Sequence, residues 1–226
     1  MMHIFDVDHT VINQSSMWHF LRMAMKSRVI HFYRIRRLPV DWIRYKLRAP
    51  DTDFIESAVE NLADIERDAL ERIADECFNK HLKGDIFTGA QKLIAEAQRK
   101  NERVIFASSS FDFVLRPLER FLGVDGLLAC ELEYRNGKTT GRLIGSSLFG
   151  VKKKTVVQAW LQRNNITPEE VSFYSDSYTD IPLLEYCGDP VAVNPDRILR
   201  REAKKRGWKI LRFREVTGKA AVRPEE

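Results

Sequence analysis

Asp6-Val7-Asp8-His9-Thr10 places two carboxylates two residues apart, directly behind a short apolar run, Ile4-Phe5. In a continuing strand both would point to one face. Where a strand stops, the turn can aim each one separately. Such a pair can supply a nucleophile or metal ligand with an acid/base beside it. An isolated Asp-x-Asp is most often a pair of solvated loop acids. Three later stretches give this one weight, because each lies after or near an apolar run: Val104 to Ser110, Gly150 to Lys154 and Phe173 to Asp180.

The elements that must position these groups follow from the hydrophobic pattern. Ile4 to Val7 is a short buried strand. From Ser16 to Leu82 the apolar residues recur at three- and four-residue steps, as in Trp18, Leu21, Met25, then Ile30, Tyr33, Ile35, Leu38, then Trp42, Ile43, Leu47, and again from Phe54 to Leu62 and from Leu70 to Cys77. Pro39 and Pro50 punctuate that helical stretch. Ala90 to Lys100, Phe111 to Leu122 and Lys153 to Arg163 read as helices. Arg103 to Ala107, Gly126 to Cys130, Val171 to Tyr174, Pro190 to Val193 and Trp208 to Phe213 read as strands. Asn136-Gly137, between Glu131–Tyr134 and Thr139–Leu143, is a two-residue hairpin signal. The last ten or so residues read as a polar tail. The alternation predicts an α/β fold, a mostly parallel sheet with helices on both faces, interrupted by a helical insertion.

In such a sheet, ligands gather beyond the carboxyl ends of the strands. Asp6, Asp8, Ser108, Asp176 and Asp180 all fall at or just past predicted strand ends. Like charges held close raise one another's pKa, so a divalent cation is expected, and all-oxygen donors suit Mg²⁺. Among Lys152, Lys153 and Lys154, Lys153 shares the inward face of Val156, Val157 and Trp160, whereas its neighbours are turned about 100° to either side. A lysine there can neutralise a phosphoryl group and restrain an aspartate nucleophile. Ser108 can offer a hydroxyl and an N–H to a phosphate oxygen, and Ser109 could take that role instead.

These stretches together resemble the four motifs of the haloacid dehalogenase-like (HAD) phosphatase superfamily. Asp6 to Thr10 is similar to the first motif, Ser108 to the second, Lys153 to the third, and Ser175-Asp176-Ser177-Tyr178-Thr179-Asp180 to the fourth. Tyr174-Ser175-Asp176, Asp180 to Leu184, Pro190 to Asp196 and Gly207-Trp208 resemble the phosphoserine-phosphatase-like subfamily IB. The resemblance covers residues 2 to 212. It implies a Rossmann-like core (1–15 and 83–226) with an all-helical cap inserted at 16–82. Asp6 would attack phosphorus and form an aspartyl-phosphate. Asp8 would protonate the leaving oxygen and then activate water. Asp6, Asp176 and the Asp8 carbonyl would bind Mg²⁺, with Asp180 orienting the metal's surroundings. Ser108 or Ser109, Thr10 and Lys153 would hold the phosphate. The second aspartate favours phosphoryl chemistry, since dehalogenases of the superfamily lack it.

Two departures bear on the substrate. The Glu that holds the substrate amine in phosphoserine phosphatases falls at Ser15, and the cap Arg for the carboxylate falls at Val59, Glu60 or Asn61. Phosphoserine is thereby one candidate among several. His9 stands where smaller residues are usual and is read as a loop residue shaping the entrance.

The 226 residues, 44% hydrophobic and 31% charged, describe a soluble globular chain. No run approaches the roughly 18 apolar residues of a membrane span, and Asp6 comes too early for a secretory segment, so a cytoplasmic protein is expected. Cys77, Cys130 and Cys187 lack metal-type spacing and read as buried thiols. The formal charge of +5 suits anionic ligands. Arg22, Lys26, Arg28, Arg34, Arg36, Arg37, Arg44, Lys46 and Arg48 alternate with aromatics. They could pair with the acidic stretch Asp51 to Asp68 within the cap, or rest on an anionic membrane or a lipid phosphate; nucleic acid is the weaker alternative. The expected function is a Mg²⁺-dependent phosphomonoesterase of small or lipid-linked phosphate esters. The rivals are a true phosphoserine phosphatase and a non-catalytic phosphate-binding scaffold on the same fold.

Overall fold

A computed structural model describes residues 1–31 and 59–218. Its strands are β1 (Met2–Phe5), β2 (Arg103–Phe111), β3 (Gly126–Arg135), β4 (Lys138–Ile144), β5 (Val171–Ser175), β6 (Asp189–Val193) and β7 (Lys209–Leu211). They form a seven-stranded sheet in the order β4-β3-β2-β1-β5-β6-β7. Every neighbouring pair is parallel except β3 and β4. The helices of the described residues are α1 (Ser16–Lys26), α2 (Arg67–Cys77), α3 (Thr88–Arg99), α4 (Asp112–Leu122), α5 (Val151–Arg163), α6 (Ile181–Leu184) and α7 (Arg197–Arg206).

The predicted alternation of strands and helices is borne out, and strand periodicity explains the layering. Phe5, Val104, Phe106, Tyr174, Val191 and Val193 face one apolar cluster, with α1 to α4. The intervening residues Ile4, Ile105, Ala107, Phe173 and Ala192 face the other, with α5, α6 and α7. Successive side chains of a strand alternate faces, so strands covered on both sides are apolar throughout. β1 lies between β2 and β5. The chain builds outward from β1 in one direction through β2, β3 and β4, then returns to build β5, β6 and β7 on the other side. That reversal makes the carboxyl ends of β1 and β5 the switch point where a crevice opens.

Several boundaries differ from the sequence reading. β2 does not stop before the serines but runs through Ser108, Ser109 and Ser110. Ala107 pairs with Leu128 and Phe111 with Cys130, four steps on β2 against two on β3. The serines therefore sit on a bulge, which bends a strand and re-aims its side chains. Gly126 to Arg135 is one strand, parallel to β2 and antiparallel to β4. The Asn136-Gly137 turn is as predicted, with φ of 52° and 77°. The last strand is shorter than Trp208–Phe213, because Phe213 leaves the sheet to pack on Gly89, where a Cβ would stand 2.2 Å from the ring.

Between β1 and β2, α1 and α2 are helical as expected, but α1 buries Ser16, Phe20, Leu21 and Ala24. Trp18, expected on the apolar stripe, is 62% exposed. The helical pattern from Tyr33 through Leu47 to Phe54, with most of the basic stretch, lies outside the described residues. Of the acidic stretch, Asp64 and Glu66 pair with Lys138 of β4 at 3.2 and 3.4 Å.

Two chain segments leave and re-enter the sheet side by side. Phe87 N–H donates to Val11 at 2.9 Å and Asn13 N–H to Asp85 at 2.9 Å. The carboxyl-terminal segment joins them: Thr88 N–H donates to Glu215 at 3.0 Å, Thr217 N–H to Ile86 at 2.9 Å and Gly218 N–H to Gly84 at 2.8 Å. Thr217 and Gly218, read from sequence as the start of a polar tail, are thus part of a backbone ladder.

Candidate active site

β1 ends at Phe5, and Asp6 N–H still donates to the Tyr174 carbonyl of β5 at 2.9 Å. The chain then turns, with Thr10, Val11 and Ile12 all donating to the Val7 carbonyl. His9 takes φ of 62° there. This turn aims the two aspartates apart.

Asp6 is buried and meets Lys153, whose Nζ donates to Asp6 Oδ1 at 2.9 Å and to Asp180 Oδ2 at 2.7 Å. Lys153 stands on the buried side of α5 with Val157, and Lys152 is exposed, as the helical rotation predicts. Asp180 Oδ2 also accepts the Ser175 hydroxyl at 2.8 Å. Burial raises the Asp6 pKa to about 6, against the pull of Lys153 and with a push from Asp180. Burial opposes the Lys153 ammonium, but Asp180 and Asp6 together outweigh it and lift its pKa above the ordinary lysine value. The lysine is therefore a permanent cation wedged between two carboxylates.

Asp8 is held differently. Its Oδ1 accepts Ser16 N–H at 2.9 Å and its Oδ2 accepts the Ser15 hydroxyl at 3.1 Å. Ser15 is the N-cap of α1, so Asp8 sits at the start of that helix, where backbone N–H groups lack helical partners. Burial raises the Asp8 pKa, and the bonds from Ser16 and Ser15 restrain the rise. Neither serine is predicted by the sequence reading as a holder of Asp8. The readable signal is a serine pair opening an apolar-periodic run.

Asp176 follows β5, and its loop is stapled to α7. Asp196 N–H donates to the Asp176 carbonyl at 2.8 Å, and Asp196 carboxylate oxygens accept from Tyr178 N at 2.7 Å and from Ile198 and Leu199 N at 2.8 Å each. Asp196 is an N-cap and a loop anchor at once, a role legible only as the Asp before a helix. Burial, then Asp6 and Asp180, push the Asp176 pKa up to about 8.

The predicted phosphate-binding residues divide. Ser108 is buried, and its Oγ accepts Ser110 N–H at 3.2 Å. Ser109 is half-buried, and its carbonyl accepts the Cys130 thiol at 3.3 Å. Thr10 is fully buried, and among the described residues its hydroxyl has no hydrogen-bond partner. A buried orphan hydroxyl is a group that a ligand can complete. His9 is exposed, and its Nδ1 donates to the Asn13 carbonyl at 2.8 Å, which keeps it in the loop. Asp85, not singled out in the sequence reading, accepts Gln14 N–H at 2.7 Å and fastens that loop to the returning segment.

The donors fit a hard divalent cation. Asp6 and Asp180 push up the Asp176 pKa, and a dication would relieve that repulsion. Among the described residues no three Asp, Glu, His or Cys side chains gather as one cage. Two carboxylates and a carbonyl suffice for Mg²⁺, which keeps several waters. Asp180, engaged by Lys153 and Ser175, suits an outer place, and the Asp8 side chain, engaged by Ser15 and Ser16, leaves its carbonyl as the donor.

A buried Lys between two aspartates, an Asp-x-Asp turn and a serine bulge at a parallel-sheet switch point define a phosphatase-type α/β hydrolase. The haloacid dehalogenase-like hydrolase model matches residues 4–185, and the chain belongs to that family. It is 29% identical over 217 residues to a histidinol-phosphatase of Neisseria meningitidis, covering 93% of this chain and 98% of the relative. It is 30% identical over 222 residues to phosphoserine phosphatase SerB1 of Mycobacterium tuberculosis, covering 96% of this chain and 72% of the relative. A crystal structure of a Bordetella pertussis protein of unknown function superposes with a TM-score of 0.81 at 29% identity, covering 93% of this chain and 97% of that one. A substrate-bound phosphoserine phosphatase shares the fold, with a TM-score of 0.67 at 21% identity over 93% of this chain and 91% of the other.

Proposed function

We propose that this phosphatase-type hydrolase is a Mg²⁺-dependent phosphomonoesterase that works through an aspartyl-phosphate on small phosphate esters. The observation that carries the reading is the separation of the two aspartates, Asp6 gripped by Lys153 and Asp8 by Ser15 and Ser16. One is set up as a nucleophile and the other as an acid/base. Lys153 engages Asp6 Oδ1, which favours attack by Oδ2. As the Oδ2–phosphorus bond forms, the phosphorus–ester oxygen bond breaks and the Asp8 carboxyl proton passes to the departing alcohol. Asp8 carboxylate then takes a proton from water, whose oxygen attacks phosphorus. Inorganic phosphate leaves and Asp6 is regenerated. Ser108 and Lys153 hold the phosphoryl oxygens, and the unpartnered Thr10 hydroxyl joins them. Mg²⁺ on Asp6, Asp176 and the Asp8 carbonyl would neutralise phosphoryl charge and resolve the carboxylate repulsion.

Small esters are favoured over lipid-linked ones. The relatives are named for histidinol phosphate and phosphoserine, both small amino-acid-derived esters. Among the described residues no helix is long and apolar enough to cross a membrane. The buried thiols Cys77, Cys130 and Cys187 support a reducing, cytoplasmic setting. The insertion between β1 and β2, residues 16–82, is read as a cap that selects the leaving group. The test is hydrolysis of p-nitrophenyl phosphate with Mg²⁺ and after exhaustive chelation. Activity that disappears with the metal and returns with it is expected; full activity without metal overturns the metal assignment, and none under either condition favours the scaffold.

A further inference from the structure

Ser16 donates its backbone N–H to Asp8, and its hydroxyl, which also faces Asp8, meets the Ser110 hydroxyl at 2.7 Å across 94 residues of sequence. Ser110 in turn donates its N–H to Ser108 Oγ at 3.2 Å. Ser16, Ser110 and Ser108 are 0, 4 and 1% exposed. Phe20 of α1, Phe111 of β2 and Phe113 and Val114 of α4 belong to one buried apolar cluster, so the elements that carry these serines are packed together. Buried hydroxyls take partners from the protein, and Ser16 and Ser110 take each other. The bond therefore fixes the start of α1, which carries the N–H that holds Asp8, against the β2 bulge, which carries Ser108.

We propose that Ser16 and Ser110 are positioning residues that set the distance between the acid/base Asp8 and the phosphate-holding Ser108. The proposal rests on the phosphatase reading. Asp8 must meet the ester oxygen while Ser108 meets a non-bridging oxygen of the same phosphoryl group. The two must therefore be held at a set separation, although one follows β1 and the other lies on β2. The bulge makes this feasible. Ser108 and Ser110 are two residues apart and would share a face in any strand; the bulge adds the local fold in which Ser110 N–H reaches Ser108 Oγ at 3.2 Å.

The reaction offers a readout that packing alone does not move. Nitrophenolate leaves without help, whereas phenolate, a stronger base, needs the Asp8 proton as its bond to phosphorus breaks. Loss of position at Asp8 must therefore slow phenyl phosphate more than p-nitrophenyl phosphate. The experiment measures kcat/KM, which reports the first chemical step, for both esters with Mg²⁺ in wild type, Ser16→Ala, Ser110→Ala and the double variant. Misplacing a reacting group by about 1 Å costs on the order of 100-fold. Ser16→Ala is expected to lower phenyl phosphate turnover by ~10–100-fold and to widen the p-nitrophenyl-to-phenyl ratio by ~10-fold. Ser110→Ala, which leaves the Ser15 and Ser16 bonds to Asp8 in place, should widen it too, and the double variant should widen it no further than Ser16→Ala alone. A folded Ser16→Ala or Ser110→Ala with an unchanged ratio, whether both rates fall together or neither falls, overturns the proposal. If Ser16→Ala does not fold, Ser110→Ala alone decides. A wild-type protein inactive on both esters with Mg²⁺ would defeat the phosphatase reading itself, a result distinct from an unchanged ratio.

Discussion

Lys153 Nζ lies 2.9 Å from Asp6 Oδ1, a buried ion pair that spans 147 residues of sequence. The same ammonium reaches Asp180 at 2.7 Å, so one cation serves two carboxylates. Removing it by Lys153→Ala leaves both acids buried without their partner. Breaking a buried pair in this way commonly costs ~3–5 kcal/mol. For a chain of this size, that is a fall in Tm of roughly 6–20 °C. Thermal melts in EDTA should show the fall, and turnover should be lost. A melt within about 2 °C of wild type would mean the pair contributes little to stability.

The two aspartates should fail differently. Asp6→Asn removes the nucleophile and should abolish hydrolysis. Asp8→Asn keeps the nucleophile, so turnover should fall by ~10²–10⁴-fold while a phosphoryl adduct on Asp6 survives acid quenching. Mass spectrometry of the quenched proteins separates the two, and wild-type activity in both variants would mean that the site lies elsewhere.

Phosphoserine should be a poor substrate. Ser15 is uncharged, caps α1 and donates to Asp8, so it offers no carboxylate to a substrate amine. A missing charged hydrogen bond commonly costs ~1.5–3 kcal/mol, or roughly 10–100-fold in kcat/KM. A panel of phosphoserine, amine-bearing, sugar and lipid phosphates tests this. Phosphoserine leading the panel by tenfold would show that another group, on the cap, holds the amine.

Thiol chemistry reports the core independently of activity. Burial pushes the Cys77 and Cys187 thiols up to about 12, from 9.0. Folding raises these pKa values, so the protonated thiols favour the fold below pH 9, and that contribution is lost as pH rises from about 9 toward 12. At pH 8, iodoacetamide should label neither cysteine in the native protein and both in denaturant. Rapid native labelling of either, read by peptide mass, would place it outside the core.

Much of this site is legible in the residues alone, because its parts follow local rules. Apolar runs ending in Asp mark the ends of β1 and β5, and a parallel sheet brings such ends together. A rotation of about 100° per residue singles out Lys153 between two other lysines. Asn136-Gly137 marks its own turn. What the order of residues could not settle is set by contacts between distant segments. The bond from Ser16 to Ser110, the loop anchor from Asp196 to Tyr178 and the packing of Phe213 on Gly89 have no period to reveal them. The β2 bulge likewise appears only once β3 lies beside it. Local sequence determined that Asp6, Asp176 and Asp180 stand just past strand ends and that Lys153 faces inward; the way each carboxylate is held was decided in three dimensions, because a buried polar atom takes whichever partner the packed chain brings within reach.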